Sequence, residues 1–521
     1  MKTLSKYLSK NKSLLKLDLS ENNLDMEGML DLAECLKVNN TLRELILSYN
    51  NINEEMIYFL AEGLKVNNSI EKIDLSENMI NANAMKHLTE SLKKNKSIKK
   101  LNLSSNNINL RELKYLLLKE KKIDDFEALQ NPEIEIQYDN NFNNIGMKHL
   151  AELLLENQTI ESLNISDNSI NSEGMNMVSD SLKFNSTLTR LNIGHNNIDM
   201  EGIKHLMRCL ALNKSIKSLN LSSLNATEES IKFLSDYLVI NDTLTSINLS
   251  GNGISNNSMI VLCNSLKINN NLKKINLDEN NFESSGINSL SEFLKHNTSL
   301  KILNLGENNL DLESMKSISE SLKTNQHLRI IDLSYNLINN EAIFYLFQVL
   351  CQNFSITSLN LSGNYFSNSS IVHISDCIKR NSTLTSINLS NNKLNLNSLK
   401  LLKKALFVND RLINLKIFQN VGQIDDSPYK HSILRSLSKI DFLLDANKQW
   451  NEKYHSSFFS IFKDIVYIFL LSLRVFQKSF HLRIPKCILF EIIKKIERKS
   501  FYGTVFLSKN GKKRKRTKIS K

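Results

Sequence analysis

SLLKLDLSENNL (residues 13–24), TLRELILSYNNI (41–52), SIEKIDLSENMI (69–80) and SIKKLNLSSNNI (97–108) are one phrase written four times, 28 residues apart. Each copy holds an asparagine at the same place: Asn22, Asn50, Asn78 and Asn106. After a gap of 34 the frame resumes at Asn140 and runs through Asn168, Asn196, Leu224, Asn252, Asn280, Asn308, Asn336, Asn364, Asn392 and Asn420, fifteen copies in all. Exact phase over such a length marks a solenoid, because one unit of this size cannot bury its apolar face without neighbours.

Inside a copy, two periodicities follow one another. In SINLSGNGI, Ile247 and Leu249 alternate with polar residues, which predicts a short strand with one buried face. Past each marker asparagine, apolar residues recur seven, ten and fourteen positions on, as at Met29, Leu32 and Leu36 or Ile371, Ile374 and Ile378. Spacings of three and four put them on one helical face. Six positions past the marker the residue is small in nearly every copy (Gly28, Ala84, Gly174, Gly202, Ser230, Ser258), as close backbone approach requires; Met56 and Glu112 are the exceptions. Glu112 opens an irregular stretch, 107–142, with six extra residues, Pro132, and Ile134 and Ile136 one position out of register. It reads as a distorted repeat with a bulge or loop, the other reading being an inserted recognition loop.

The pattern L-x-x-L-x-L-x-x-N-x-L resembles the leucine-rich repeat, and its 28-residue period resembles the ribonuclease-inhibitor subtype, which also occurs in NOD-like receptors and Ran GTPase-activating proteins. The resemblance covers roughly residues 10–425 and implies an α/β fold: a curved horseshoe solenoid, parallel strands on the concave face and helices on the convex face. The expected organisation is a leucine-rich-repeat domain at 1–425 of about fifteen repeats, a helical cap and C-terminal helical region at 426–505, and a basic disordered tail at 506–521. Pro428 supports the first boundary, since proline is otherwise kept out of the regular repeats.

The net charge of +12 is unevenly placed: residues 421–521 hold 22 Lys and Arg against 8 Asp and Glu, which leaves 1–420 at −2. Basicity therefore concerns the tail. Six cysteines lie far apart with no CxxC pair, so reduced thiols are expected rather than a zinc site or a disulfide framework. No signal peptide is expected from the polar start, and the apolar run Ile465–Leu473 is about half the length of a membrane-spanning helix. Phosphate-loop, HExxH and GxSxG sequences are absent, so the expectation is a protein without catalytic residues, cofactor, metal or small-molecule substrate.

The resemblance implies protein partners held on the strand face. There the residue between the strand leucines is Asn or Asp in copy after copy, and serine follows two positions on, a uniformity that suits ladders serving the repeat itself. Variation is found at Lys16, Glu44, Lys72 and Lys100, flanked by Arg43 and Tyr49, and at Arg190, His195, Arg329 and Tyr335. These form the candidate partner footprint. In the C-terminal region, Ile484, Pro485, Ile488, Leu489 and Ile492, with Ile493 and Ile496, resemble the opening of an F-box, which implies a cullin ubiquitin-ligase adaptor as partner; an amphipathic helix with proline in its first turn is the other reading. Lys512, Lys513, Arg514, Lys515 and Arg516 resemble a nuclear-import signal and are the one segment suited to nucleic acid.

The function expected is an intracellular protein-interaction scaffold, cytoplasmic or nuclear. Its alternatives are the cullin adaptor and, from the repeat type, a GTPase activator of the Ran kind. One recurring feature points elsewhere: N-x-S/T triplets at Asn39, Asn67, Asn157 and later would mean glycosylation outside the cell. The same column continues without the triplet at Asn269, Asn325 and Asn409, which instead predicts a helix-ending asparagine in the left-handed conformation.

Overall fold

The structure is a computed structural model that describes residues 1–106, 144–280, 282–417 and 420, with scattered positions from 437 to 448. The chain divides into two compact units, Met1–Asp445 and Ala446–Lys521. Among the described residues of the first, fourteen three-residue strands run from β1 (Lys16–Asp18) to β14 (Asn414–Lys416) and form one parallel sheet in sequence order, each pair separated by a helix. Parallel neighbours need such a crossover. The register holds throughout: Lys16 pairs with Glu44, Glu44 with Lys72, and Asn388 with Lys416. The alternation predicted from Ile247 and Leu249 is observed, for both are buried while Asn248 is half-buried.

What ties one repeat to the next is the marker asparagine. Asn78 donates from Nδ2 to the carbonyls of Leu75 and Ser76 in its own turn and of Leu47 in the preceding repeat, at 3.0–3.1 Å. Its Oδ1 accepts from the amides of Asn50 and Ile52, both at 3.0 Å. One buried side chain thus satisfies groups that neither repeat can satisfy itself. Asn280, Asn336 and Asn364 repeat the arrangement.

The column at Asn39 forms a second ladder, and here the conformation differs from expectation. Asn39, Asn67 and Asn95 end their helices in the extended region, with φ −74, −72 and −67°, not in the left-handed one. The side chain makes the turn instead: Asn67 Oδ1 accepts from Ser69 N and Ile70 N at 2.9 Å, while Nδ2 donates to the Leu36 and Asn39 carbonyls of the preceding repeat. Left-handed backbone sits elsewhere, one residue before each marker, at Glu21, Tyr49, Glu77 and His195 among others. Asn39, Asn67 and Asn157 are buried, with Nδ2 bonded to a carbonyl of the preceding repeat, which leaves no room for a glycan, so the triplets are repeat punctuation.

Helix starts are equally regular. Asp25, Asn53, Asn81, Asn171 and Asp199 cap their helices by accepting from the amide three residues on, at the small-residue position. Smallness there reflects the neighbour: a Cβ on Gly202 would lie 2.6 Å from Ser172 Oγ, at the start of the preceding helix.

Across the irregular stretch the frame closes. The strand Lys100–Asn102 (β4) pairs directly with Ser162–Asn164 (β5), Lys100 opposite Ser162. Asn106 N donates to Asn168 Oδ1 at 2.9 Å, and Asn157 Nδ2 reaches Leu92 O at 2.8 Å. Where the sequence frame places a strand near Ile134 and Ile136, the sheet passes straight from one regular repeat to the next. Residues 107–143 lie outside the described residues, as do the F-box-like segment at 484–496 and the basic run at 512–516. Near the C-terminal end, Ile440 and Leu444, one helical turn apart, join the apolar core.

Leu224 occupies a marker position, where it is buried but offers no side-chain acceptor to the amides of Asn196 and Ile198. A buried polar group stripped of its partner costs about 1–3 kcal/mol. Asn78→Leu should therefore lower stability by at least about 3 kcal/mol, as several groups lose partners at once, and Leu224→Asn should raise the urea midpoint of unfolding; equilibrium denaturation of the two variants beside the parent checks both.

Candidate functional site

The register assembles the candidate residues into columns. Lys16, Glu44, Lys72 and Lys100 open four successive strands, and Arg190 opens the sixth, two strands past Lys100. Glu44 lies between two lysines, with Oε1 2.7 Å from Lys72 Nζ and 3.4 Å from Lys16 Nζ. The hydrogen bond from Lys72 holds its carboxyl below the usual carboxylate range despite some burial. Glu71 and Lys99 form a parallel pair at 2.9 Å one position earlier. Both arginines that precede a strand are engaged with the frame: Arg43 Nη1 donates to Ser69 O and Arg329 Nη1 to Ser355 O, each at 3.0 Å in the following repeat.

Tyr49, His195 and Tyr335 stand one residue before their markers, exposed, with φ of 56, 55 and 51°. Such backbone costs a non-glycine residue roughly 1–2 kcal/mol, and the turn that delivers the marker into the ladder imposes it. Tyr335 also bridges repeats. Its ring lies over Gly363, where a Cβ would come within 2.4 Å of Tyr335 Cδ1, and its hydroxyl accepts from Asn391 Nδ2 at 3.2 Å, two repeats away. Arg329 and Tyr335 flank the eleventh strand, Ile330–Asp332, while Arg190 opens the sixth, Arg190–Asn192, and His195 follows it. Five strand spacings, roughly 24 Å, separate these two pairs, and another five separate Arg190 from Lys16, so a single small ligand cannot touch the whole set.

The middle of the face serves the fold. Asp18, Asp74 and Asn102 accept from the amide and hydroxyl of the serine two residues on, and Asn102 Nδ2 reaches back to Asp74 Oδ1 at 2.9 Å. The two margins of the face are charged oppositely. The edge where strands begin carries Lys99, Lys100, Arg190, Lys217, Lys273 and Lys274, interrupted by Glu44, Glu71 and Glu161. The edge where they end, at the left-handed position, carries Glu21, Glu77, Asp167, Glu279 and Glu307.

Sequence reasoning missed this acidic edge. Each member is a lone residue 28 or more positions from the next, and only the register makes them neighbours. One signal was available: Asp278 breaks the serine column. Burial first, then the charges of Asp332, Glu307 and Glu279, push its carboxyl up to about 6.

A Leucine Rich repeat family description matches residues 10–33, 38–55, 94–111, 156–179, 184–207, 241–263, 296–319 and 324–347. No curated protein sequence matches the chain. Among solved structures it is similar to Rad7 in the yeast Rad7–Elc1 complex, at 18% identity over 80% of this chain and 82% of that one, with a TM-score of 0.45. An internalin of Listeria monocytogenes is similar at 15% identity over 79% and 88%, with a TM-score of 0.36. The actin-binding site 2 of leiomodin-1 is similar at 20% identity over 31% and 90%, with a TM-score of 0.27. With eight matched repeats and one parallel sheet whose register advances by 28 residues at every junction but the one pairing Lys100 with Ser162, the chain is a leucine-rich-repeat protein.

Proposed function

We propose that this chain is a non-enzymatic protein-interaction scaffold, built on repeats of the ribonuclease-inhibitor type, that holds a protein partner across its strand face. The observation that carries the reading is the opposite charge of the two long edges of that face. The edges stand roughly 10–15 Å apart, more than the Debye length of about 8 Å at physiological salt, so a partner feels them separately. A protein with acidic groups toward the strand starts and basic groups toward the strand ends is steered and oriented by them. The proposed place of action is the cytoplasm or nucleus; no helix among the described residues is long and apolar enough to cross a membrane. Nucleic acid is not a proposed ligand beyond the basic tail. Neither the cullin-adaptor nor the Ran-type reading has an observation on the described residues in its favour.

Proximity labelling in cells with the full chain tests this. Lys273→Glu with Lys274→Glu on one edge, and Glu279→Lys with Glu307→Lys on the other, should each lose the same labelled proteins, whereas Lys316→Glu on a helix should keep them. Labelling unchanged by both edge variants would sink the reading.

The acidic edge also has a pH signature. With its folded-state pKa near 6, above the usual 3.8, Asp278 favours the folded state in its protonated form. That contribution is complete below about pH 4 and is lost as pH rises to 6. Asp278→Asn should match the parent's melting temperature at pH 4 and exceed it at pH 7; thermal melts at the two pH values decide.

A further inference from the structure

Away from the strand face, two adjacent helices bring three unlike donor groups to one point. Asp180 lies on helix Ser172–Leu182, and His205 and Cys209, four residues apart on one face, lie on helix Met200–Leu210. Asp180 Oδ1 is 3.1 Å from His205 Nε2 and 3.9 Å from Cys209 Sγ, and all three donor atoms fall within 4.8 Å of one another. Among the described residues no other trio of His, Cys, Asp and Glu does so. Zinc bonds of about 2.0–2.1 Å to nitrogen and oxygen and about 2.3 Å to sulfur put tetrahedral neighbours roughly 3.3–3.6 Å apart. The Asp180–His205 and Asp180–Cys209 distances straddle that length by a few tenths of an ångström.

An ion pair between Asp180 and His205 would account for two of the groups. It gives no reason for the third, a buried thiol against the same carboxylate oxygen. The equivalent positions in other repeats show that the frame does not demand the combination: Glu62, His87 and Ser91 lack the thiol, and Gln348, His373 and Cys377 lack the carboxylate. Only one repeat junction unites carboxylate, imidazole and thiol.

We propose that Asp180, His205 and Cys209 bind a divalent transition-metal ion, Zn2+ by its donor chemistry, in a four-coordinate site whose last position is open to water beside the exposed Asp180. One nitrogen, one sulfur and one oxygen ligand suit zinc and exclude the hard cations that require oxygen alone. Lys183 is the built-in competitor, its Nζ 2.6 Å from Asp180 Oδ1. On binding, the Cys209 thiol releases its proton to solvent, and the divalent ion takes the carboxylate oxygen from the ammonium group.

Titration of the full chain with Co2+, followed by thiolate-to-cobalt charge-transfer absorption and displaced by Zn2+, tests the site. One equivalent should develop the band in the parent protein, and none should appear in Cys209→Ser. Asp180→Asn, an exposed change that leaves the core intact, should weaken binding by about tenfold or more, and Lys183→Ala should tighten it. A parent protein with no band, a band that survives Cys209→Ser, or an Asp180→Asn titration identical to the parent's would each overturn the assignment. Should Cys209→Ser fail to fold, Asp180→Asn and His205→Gln still decide it.

Discussion

A buried asparagine that bonds to two repeats at once is the constraint on which this structure depends. Three-residue strands leave many backbone groups at the turns with no ladder partner, and helices packed behind them exclude water. The carboxamide has two donors and an acceptor with two lone pairs, and it fits both sides of the junction. Two such columns, through Asn78 and through Asn67, run along the two ends of the strands, the first broken at Leu224, and fix the register. Apolar burial adds roughly 1.5–3 kcal/mol for each fully buried Leu or Ile, but it is tolerant of slippage where hydrogen bonding is not.

The ladders and the Asp–Ser and Asn–Ser pairs between them occupy the middle of the strand face, which leaves its edges free of these contacts. The side chains there are charged and half-exposed, and each long edge is dominated by one sign. Tyr335, stretched over Gly363 to Asn391, shows how an edge residue can also stiffen three repeats together. Behind the sheet, Asp180, His205 and Cys209 meet at the junction of two adjacent helices, from an exposed carboxylate to a buried thiol.

Much of this was legible in the sequence because a solenoid repeats its contacts: period, strand alternation, helix face and the small residue at Gly28 or Gly202 all follow from residues near one another in the chain. Three things were not. The conformation of Asn39 was misjudged because its side-chain oxygen performs the turn, a choice that leaves no mark on composition. Where the frame places a strand at Ile134 and Ile136, the sheet pairs Lys100 directly with Ser162, a contact between residues too far apart in the chain for any local pattern to show. The acidic edge and the Asp180 cluster join residues one or more periods apart, so their proximity is a property of register and not of any local pattern.

The most direct measure of the ladder is hydrogen exchange at the amides that bond to a marker asparagine of the next repeat. Asn50 and Ile52, bonded to Asn78, and Asn168 and Ile170, bonded to Asn196, should exchange as slowly as amides inside the helices. Asn196 and Ile198, which meet Leu224 instead, should form a local minimum of protection. Rapid exchange at Asn50 and Ile52, or protection at Asn196 and Ile198 equal to the rest, would contradict the account.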